Sequence, residues 1–124
     1  MSVQTVAEKF VELCNQGKNF EVMRTMYAPE MVSVEGDGRE TVGRQPVIRK
    51  SEVFQGENTF LSQDLRGPFF CGDHAADAGR FGVYHTIDVT RKSSGERVTL
   101  EEVALYTVKD GQITREEFFY DGMF

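Results

Sequence analysis

The side chains best suited to moving a proton in this sequence are two glutamates and a histidine. His85 lies in Phe81-Gly82-Val83-Tyr84-His85-Thr86-Ile87-Asp88-Val89, where strand alternation groups it with Phe81, Val83, Ile87 and Val89. An imidazole on an apolar face can shuttle a proton or donate to a substrate. It can equally be a core or interface histidine held by one backbone partner. Glu35 stands just before a loop with Gly36, Gly38 and Gly43. Turned inward among apolar groups and other acids, its carboxyl rises toward the range useful to a general acid or base; turned outward, it is a solvated loop residue. In the final strand, alternation separates Thr114, Glu116, Phe118 and Tyr120 from Ile113, Arg115, Glu117 and Phe119. A single bulge exchanges the two faces, so the inward acid is either Glu116 or Glu117.

Other chemistries find less support. Asp73, His74, Asp77, His85 and Asp88 cluster along the chain, but their spacings match no zinc or calcium pattern, and no metal is expected. His74 sits in a turn composition, Gly72-Asp73-His74-Ala75, and is expected to face solvent. No glycine-rich phosphate loop follows a strand, no GxSxG elbow is present, and neither Cys14 nor Cys71 pairs with an evident histidine. Nucleotide cofactors and covalent catalysis are thereby disfavoured, and no cofactor is expected.

The elements that must position these groups can be read from periodicity. Val3, Val6, Phe10, Leu13 and Cys14 recur at three-to-four spacing opposite Glu8, Lys9 and Glu12, predicting a helix near residues 3–16 with capping-box spacing at Thr5-Val6-Ala7-Glu8. Gly17 can end it and Asn19 can cap a second helix, with Phe20, Met23, Met26 and Tyr27 as its buried stripe until Pro29. A short strand over 31–35, a glycine loop and a third helix from Pro46 to near Gln55 follow. The next strand runs from Thr59 to about Leu65, broken by Gly67-Pro68, with Phe69 and Phe70 beyond the break. The last third reads as an antiparallel meander over 80–90, 97–108 and 112–120, turning at Lys92-Ser93-Ser94-Gly95 and at Lys109-Asp110-Gly111. On its middle strand, Glu101, Val103, Leu105 and Thr107 are expected inward, and Glu102, Ala104, Tyr106 and Val108 outward.

At 124 residues the chain is read as one domain, 1–124, without repeats or linkers. Fourteen Lys and Arg against twenty Asp and Glu give a net charge of −6, which repels phosphate backbones and anionic surfaces, so neither nucleic acid nor membrane is expected as a partner. Two cysteines without CxxC spacing suit a reduced, cytoplasmic location, and the N-terminus, with Glu8 and Glu12 among its apolar residues, reads as soluble and unprocessed.

Three segments carry a family resemblance: Phe10-Val11-Glu12-Leu13-Cys14-Asn15-Gln16-Gly17, Met26-Tyr27-Ala28-Pro29-Glu30-Met31-Val32, and Tyr106-Thr107-Val108-Lys109-Asp110-Gly111-Gln112-Ile113. In this order and at these separations the chain resembles the SnoaL-like group of the nuclear transport factor 2-like superfamily, to which ketosteroid isomerases belong. The resemblance implies an α+β fold: a cone-shaped, curved antiparallel sheet with N-terminal helices on its concave face, a cystatin-like α+β roll. It places Glu35 where the isomerases carry their aspartate base and puts the Glu116 set, with Phe118 and Tyr120, toward the pocket. The isomerase tyrosine and buried aspartate that make an oxyanion hole fall on Phe10 and Val103, which supply no such donors.

The expected catalytic residues are Glu35, His85 and Glu116, and the expected ligand-lining residues Phe10, Tyr27, Phe54, Val103, Phe118 and Tyr120. Two functions follow. One is a cofactor-free lyase, isomerase or cyclase working by carboxylate acid/base chemistry on a small apolar carbonyl compound. The other is a noncatalytic hydrophobic-ligand binder or dimeric scaffold. Apolar residues on both sheet faces, with helices able to cover only the concave one, predict a homodimer through the convex face.

Overall fold

The computed structural model describes residues 1–120, which form three helices against one six-stranded sheet. Helix α1 spans Val3–Asn15 and α2 spans Asn19–Met26; β1 is Tyr27–Val34 and β2 Glu40–Val42; α3 is Arg44–Glu57. The long strands β3 (Asn58–Cys71), β4 (Ala78–Arg91) and β5 (Arg97–Lys109) follow, then β6 (Gln112–Phe119). Strand order is β2-β1-β6-β5-β4-β3, antiparallel throughout except for the β1–β6 pair.

The α1 stripe of Val3, Val6, Ala7, Phe10 and Cys14 is buried, as its spacing requires. Its N-terminus is capped one turn earlier than the Thr5 spacing suggested: the Ser2 hydroxyl accepts from the Thr5 backbone N–H. Tyr27 ends α2 and opens β1. The short β2 hairpin strand was not foreseen, because Glu40-Thr41-Val42 is too brief to show a period. The strand containing Gly67-Pro68 does not end there; β3 continues to Cys71 through a register shift between Arg66 and Phe69, around a cis Gly67–Pro68 peptide. Amides fasten the α1–α2 corner to β3. Gln63 Nε2 donates to the Cys14 carbonyl and to Asn19 Oδ1, while Asn15 exchanges hydrogen bonds with the Leu65 backbone.

The expected facing of β5 is overturned. Leu100, Glu102, Ala104, Tyr106 and Val108 are buried, whereas Glu101 and Val103 are exposed. The cause is the partner strand: directly opposite residues share a face, and β4 pairs Phe81 with Tyr106, Val83 with Ala104 and His85 with Glu102. Three interlocked rings fix that register, with the Phe10 centroid 4.5 Å from Tyr106 and 5.5 Å from Phe81. Val103 therefore lies on the convex face, 47% exposed, and cannot line a concave-face pocket.

The β5–β6 turn holds Asp110 and Gly111 both at positive φ (51° and 79°), the geometry of the tight two-residue hairpin that Asp-Gly favours. Just beyond it, a bulge between Thr107 and Val108 lets Ile113 face Val108 and Glu116 face Tyr106. Members of both alternation sets, Ile113 and Glu116, are consequently buried.

Most of the core is one large cluster beneath α1 and α2, centred on Phe10, Phe81 and Tyr106. A separate cluster of Ile87, Val89 and Leu100 is covered by Phe54 of α3 and by Phe60. No described helix is long and apolar enough to cross a membrane.

Candidate functional site

Between the helices and the concave face lies a cavity of about 1020 Å³, bordered by residues of both core clusters. The sheet lays down its floor in rows two residues apart. Phe81, Tyr106 and Glu116 are in register, then Val83, Ala104 and Phe118, then His85 and Glu102, then Ile87 and Leu100. Polar and apolar rows thus alternate along the concave face.

Glu116 is the deepest acid, 3% exposed. Its Oε1 accepts a short hydrogen bond from the Tyr27 hydroxyl, and Ser33, directly opposite on β1, also hydrogen-bonds to it. Burial pushes the Glu116 carboxyl above its ordinary value; the bonds from Ser33 and Tyr27 and the Lys50 charge oppose that rise, and Glu102 adds to it. Tyr27 is itself held well above the usual phenol range by burial and by Glu116.

Lys50 of α3 links this deep acid to a second one. Its Nζ donates to Ser33 Oγ at 2.7 Å and to Glu35 Oε1 at 2.5 Å, and it stands over the Phe118 ring. Tyr120 closes the string, donating to Glu35 Oε2 at 3.0 Å. Its ring packs so closely on Gly36 that a Cβ there would come within 3.0 Å of ring carbons. Tyr120, Glu35, Lys50, Ser33, Glu116 and Tyr27 therefore form one hydrogen-bonded string along the cavity wall.

His85 and Glu102 form a second polar pair, with Nδ1 3.1 Å from Oε1. Both line the cavity. On the far side of the ring, Nε2 is buried and has no hydrogen-bond partner; among the described residues it is the only side-chain nitrogen or oxygen so placed.

Glu35, His85, Glu116, Phe10, Tyr27, Phe54, Phe118 and Tyr120 all border this one cavity, and Val103 does not. Ser33, Lys50 and Glu102 were missed. Lys50 had a readable signal: it follows the buried Val47 by three residues and precedes Phe54 by four, which puts it on the inward stripe of α3. Ser33 alternates with Met31 on the inner face of β1, with Glu35 one residue past its end, and Glu102 was lost with the facing of β5. His74 is exposed as expected, stacked on Phe70. Cys14 lines the cavity, but burial pushes its thiol up to about 12, leaving it protonated and poorly suited to nucleophilic attack. Among the described residues, no three His, Cys, Asp or Glu side chains gather as a metal site.

A family model described as SnoaL-like domain matches residues 1–120. The chain belongs to the SnoaL-like family. A similar solved structure, at 35% identity and a TM-score of 0.87 over 97% of this chain and 100% of its own, is a candidate SnoaL-like polyketide cyclase from Mesorhizobium loti, whose description also carries the words carbohydrate phosphatase. At the level of fold alone, the chain is similar to a candidate polyketide cyclase from Xanthomonas campestris pv. campestris (18% identity, TM-score 0.74, 96% of this chain and 90% of the other). A ketosteroid isomerase-like protein from Erwinia carotovora atroseptica is likewise similar (13% identity, TM-score 0.73, 98% and 95%). No curated protein sequence matches. Phe10 and Val103 supply no phenol or carboxyl, and the phenol–carboxyl contact that borders the cavity is between Tyr27 and Glu116.

Proposed function

We propose that this SnoaL-like protein is a cofactor-free lyase, isomerase or cyclase that moves a proton on a small apolar carbonyl compound. The observation that carries this reading is the hydrogen-bonded string joining an ion-paired carboxylate, Glu35, to a buried carboxyl with a raised pKa, Glu116, on the wall of one cavity lined by both apolar and polar side chains. Two carboxyl groups in different surroundings, one paired with a lysine and one buried, are suited to opposite roles. Glu35 accepts the proton from carbon next to the carbonyl. Glu116, backed by the Tyr27 hydroxyl, offers its acidic hydrogen to the carbonyl oxygen as negative charge develops there. Lys50 ion-pairs with Glu35 and, through Ser33, keeps the two ends in fixed relation.

Hydrogen–deuterium exchange at the activated carbon of beta-tetralone in heavy water tests the chemistry without the natural substrate. The expected result is exchange faster than in buffer, lowered by roughly a hundredfold or more in Glu35→Gln and in Glu116→Gln. Binding of the ketone with exchange no faster than buffer would overturn the catalytic reading and leave a noncatalytic hydrophobic-ligand binder.

The proposal includes a second copy of the chain on the convex face. Tyr84, Val103 and Phe119 are in register across three strands there, with Val103 and Phe119 47% and 52% exposed. Sedimentation should show a dimer that Val103→Glu converts to monomer; a wild-type monomer at micromolar concentration would remove this part.

A further inference from the structure

Proton transfer to Glu35 removes one partner of an ion pair. In the resting protein the Glu35 carboxylate balances the Lys50 ammonium at 2.5 Å. When the C–H bond next to a ligand carbonyl breaks, the proton goes to Glu35 and the electron pair left behind forms the carbon–carbon double bond of an enolate, with the negative charge on the former carbonyl oxygen. Charge is conserved: it passes from Glu35 to the ligand. Lys50 loses its counter-ion at the moment when a new one forms in the cavity that it borders.

A lysine ammonium carries three hydrogens. Lys50 gives one to Ser33 Oγ at 2.7 Å and one to Glu35 Oε1. The Phe118 ring centroid is 5.7 Å from Nζ, near enough for a cation–π contact and too far to take a hydrogen bond. The side chain is 30% exposed, so a third hydrogen can meet a ligand oxygen. Of the lysines and arginines among the described residues, only Lys50 and Arg39 border the cavity. Arg39 is committed elsewhere: its side chain is 77% exposed and bonds Asp37 two residues away.

Ser33 sets how far Lys50 is from the other donor of the site. Its hydroxyl accepts from Lys50 and hydrogen-bonds to Glu116. Two groups bonded to one hydroxyl stand within about 6 Å of each other, so a single oxygen placed between them can accept from both.

We propose that Lys50 is a catalytic residue, whose ammonium donates to the developing enolate oxygen beside Glu116 and exchanges Glu35 for the ligand as its ion-pair partner. A donor fixed in place before charge develops needs no reorganisation when it does. A ligand that enters as a neutral ketone or ester suits this exchange, since a carboxylate would draw the ammonium from Glu35 before the proton moved. The inference rests on Glu35 being the base, as proposed above.

Beta-naphthol, the aromatic counterpart of the beta-tetralone enol, tests the donor without turnover. Absorbance reads the ionised fraction of the bound probe between about pH 6 and 10, up to the range of an ordinary phenol. Glu35→Gln carries an uncharged side chain, like that of the protonated base. In that protein the bound probe should ionise with a midpoint at least about one pH unit lower than in Glu35→Gln/Lys50→Met, a tenfold preference for the anion. Glu35→Gln/Lys50→Gln serves if the methionine protein does not fold, and circular dichroism checks each. In the otherwise wild-type protein, Lys50→Met should slow beta-tetralone exchange by roughly a hundredfold while leaving affinity for the ketone within about twofold. The same midpoint with and without Lys50, or exchange unaltered in Lys50→Met, would overturn the role of Lys50 and leave Glu35 and Glu116 in theirs. Wild-type exchange no faster than buffer would overturn Glu35 as the base and the catalytic role of Lys50 with it. Failure of the probe to bind any of these proteins would overturn the ligand-site reading as well.

Discussion

The two ends of the concave face are built from similar materials to different effect. Beneath α1 and α2, the Phe10, Phe81 and Tyr106 rings interlock, and the acid among them, Glu116, is hydrogen-bonded to Tyr27 and Ser33. Beneath α3, Ile87, Val89 and Leu100 form a small separate cluster with Phe54 and Phe60, and the adjacent His85 keeps one ring nitrogen unpartnered. The contrast teaches that packing and polar satisfaction are unevenly distributed along a sheet whose two ends both border the cavity. The α1–α2 end carries most of the packing and holds an acid whose carboxyl is pushed by burial above its ordinary value. The other end has a smaller apolar cluster and one buried ring nitrogen without a partner.

Truncation should expose that division. Phe81→Ala, at a site with no exposure, is expected to cost about 3–5 kcal/mol in denaturant unfolding, because its neighbours are ring-locked and cannot collapse into the hole. Leu100→Ala should cost less, about 2–3 kcal/mol, since the small cluster beside the cavity can relax into existing space. Equal losses would mean that the two ends share one cooperative core.

The sequence read well wherever one period dominated. The α1 stripe, the three strands of the meander and the Asp110-Gly111 turn lie within about two residues of their expected places. It failed where a strand carries apolar residues on both faces. Leu100, Ala104 and Tyr106 compete with Val103 and Leu105, and only pairing with Phe81 and His85 of β4 settles which set is buried. The same tertiary dependence hid Glu102. Glu116 faces inward with Ile113 because of a bulge that no local pattern announces. Lys50 and Tyr27 were legible by position, but their hydrogen bonds were not, since each joins segments far apart in the chain.

The account depends most on the protonation of Glu116. Its carboxyl is raised in the folded state, chiefly by burial, so the native protein keeps a proton that the unfolded chain has released. Stability from this group is therefore fully present below the ordinary glutamate value of 4.5 and falls as pH rises through the folded value. Unfolding measured between those points should lose that slope in Glu116→Gln. The most direct measurement is a carbon NMR titration of the side-chain carboxyl groups, with Glu116→Gln identifying the signal. The account predicts a midpoint for Glu116 clearly above 4.5; a midpoint at or below it would show an ordinary carboxylate and contradict the role of Glu116 as the buried acid of the site.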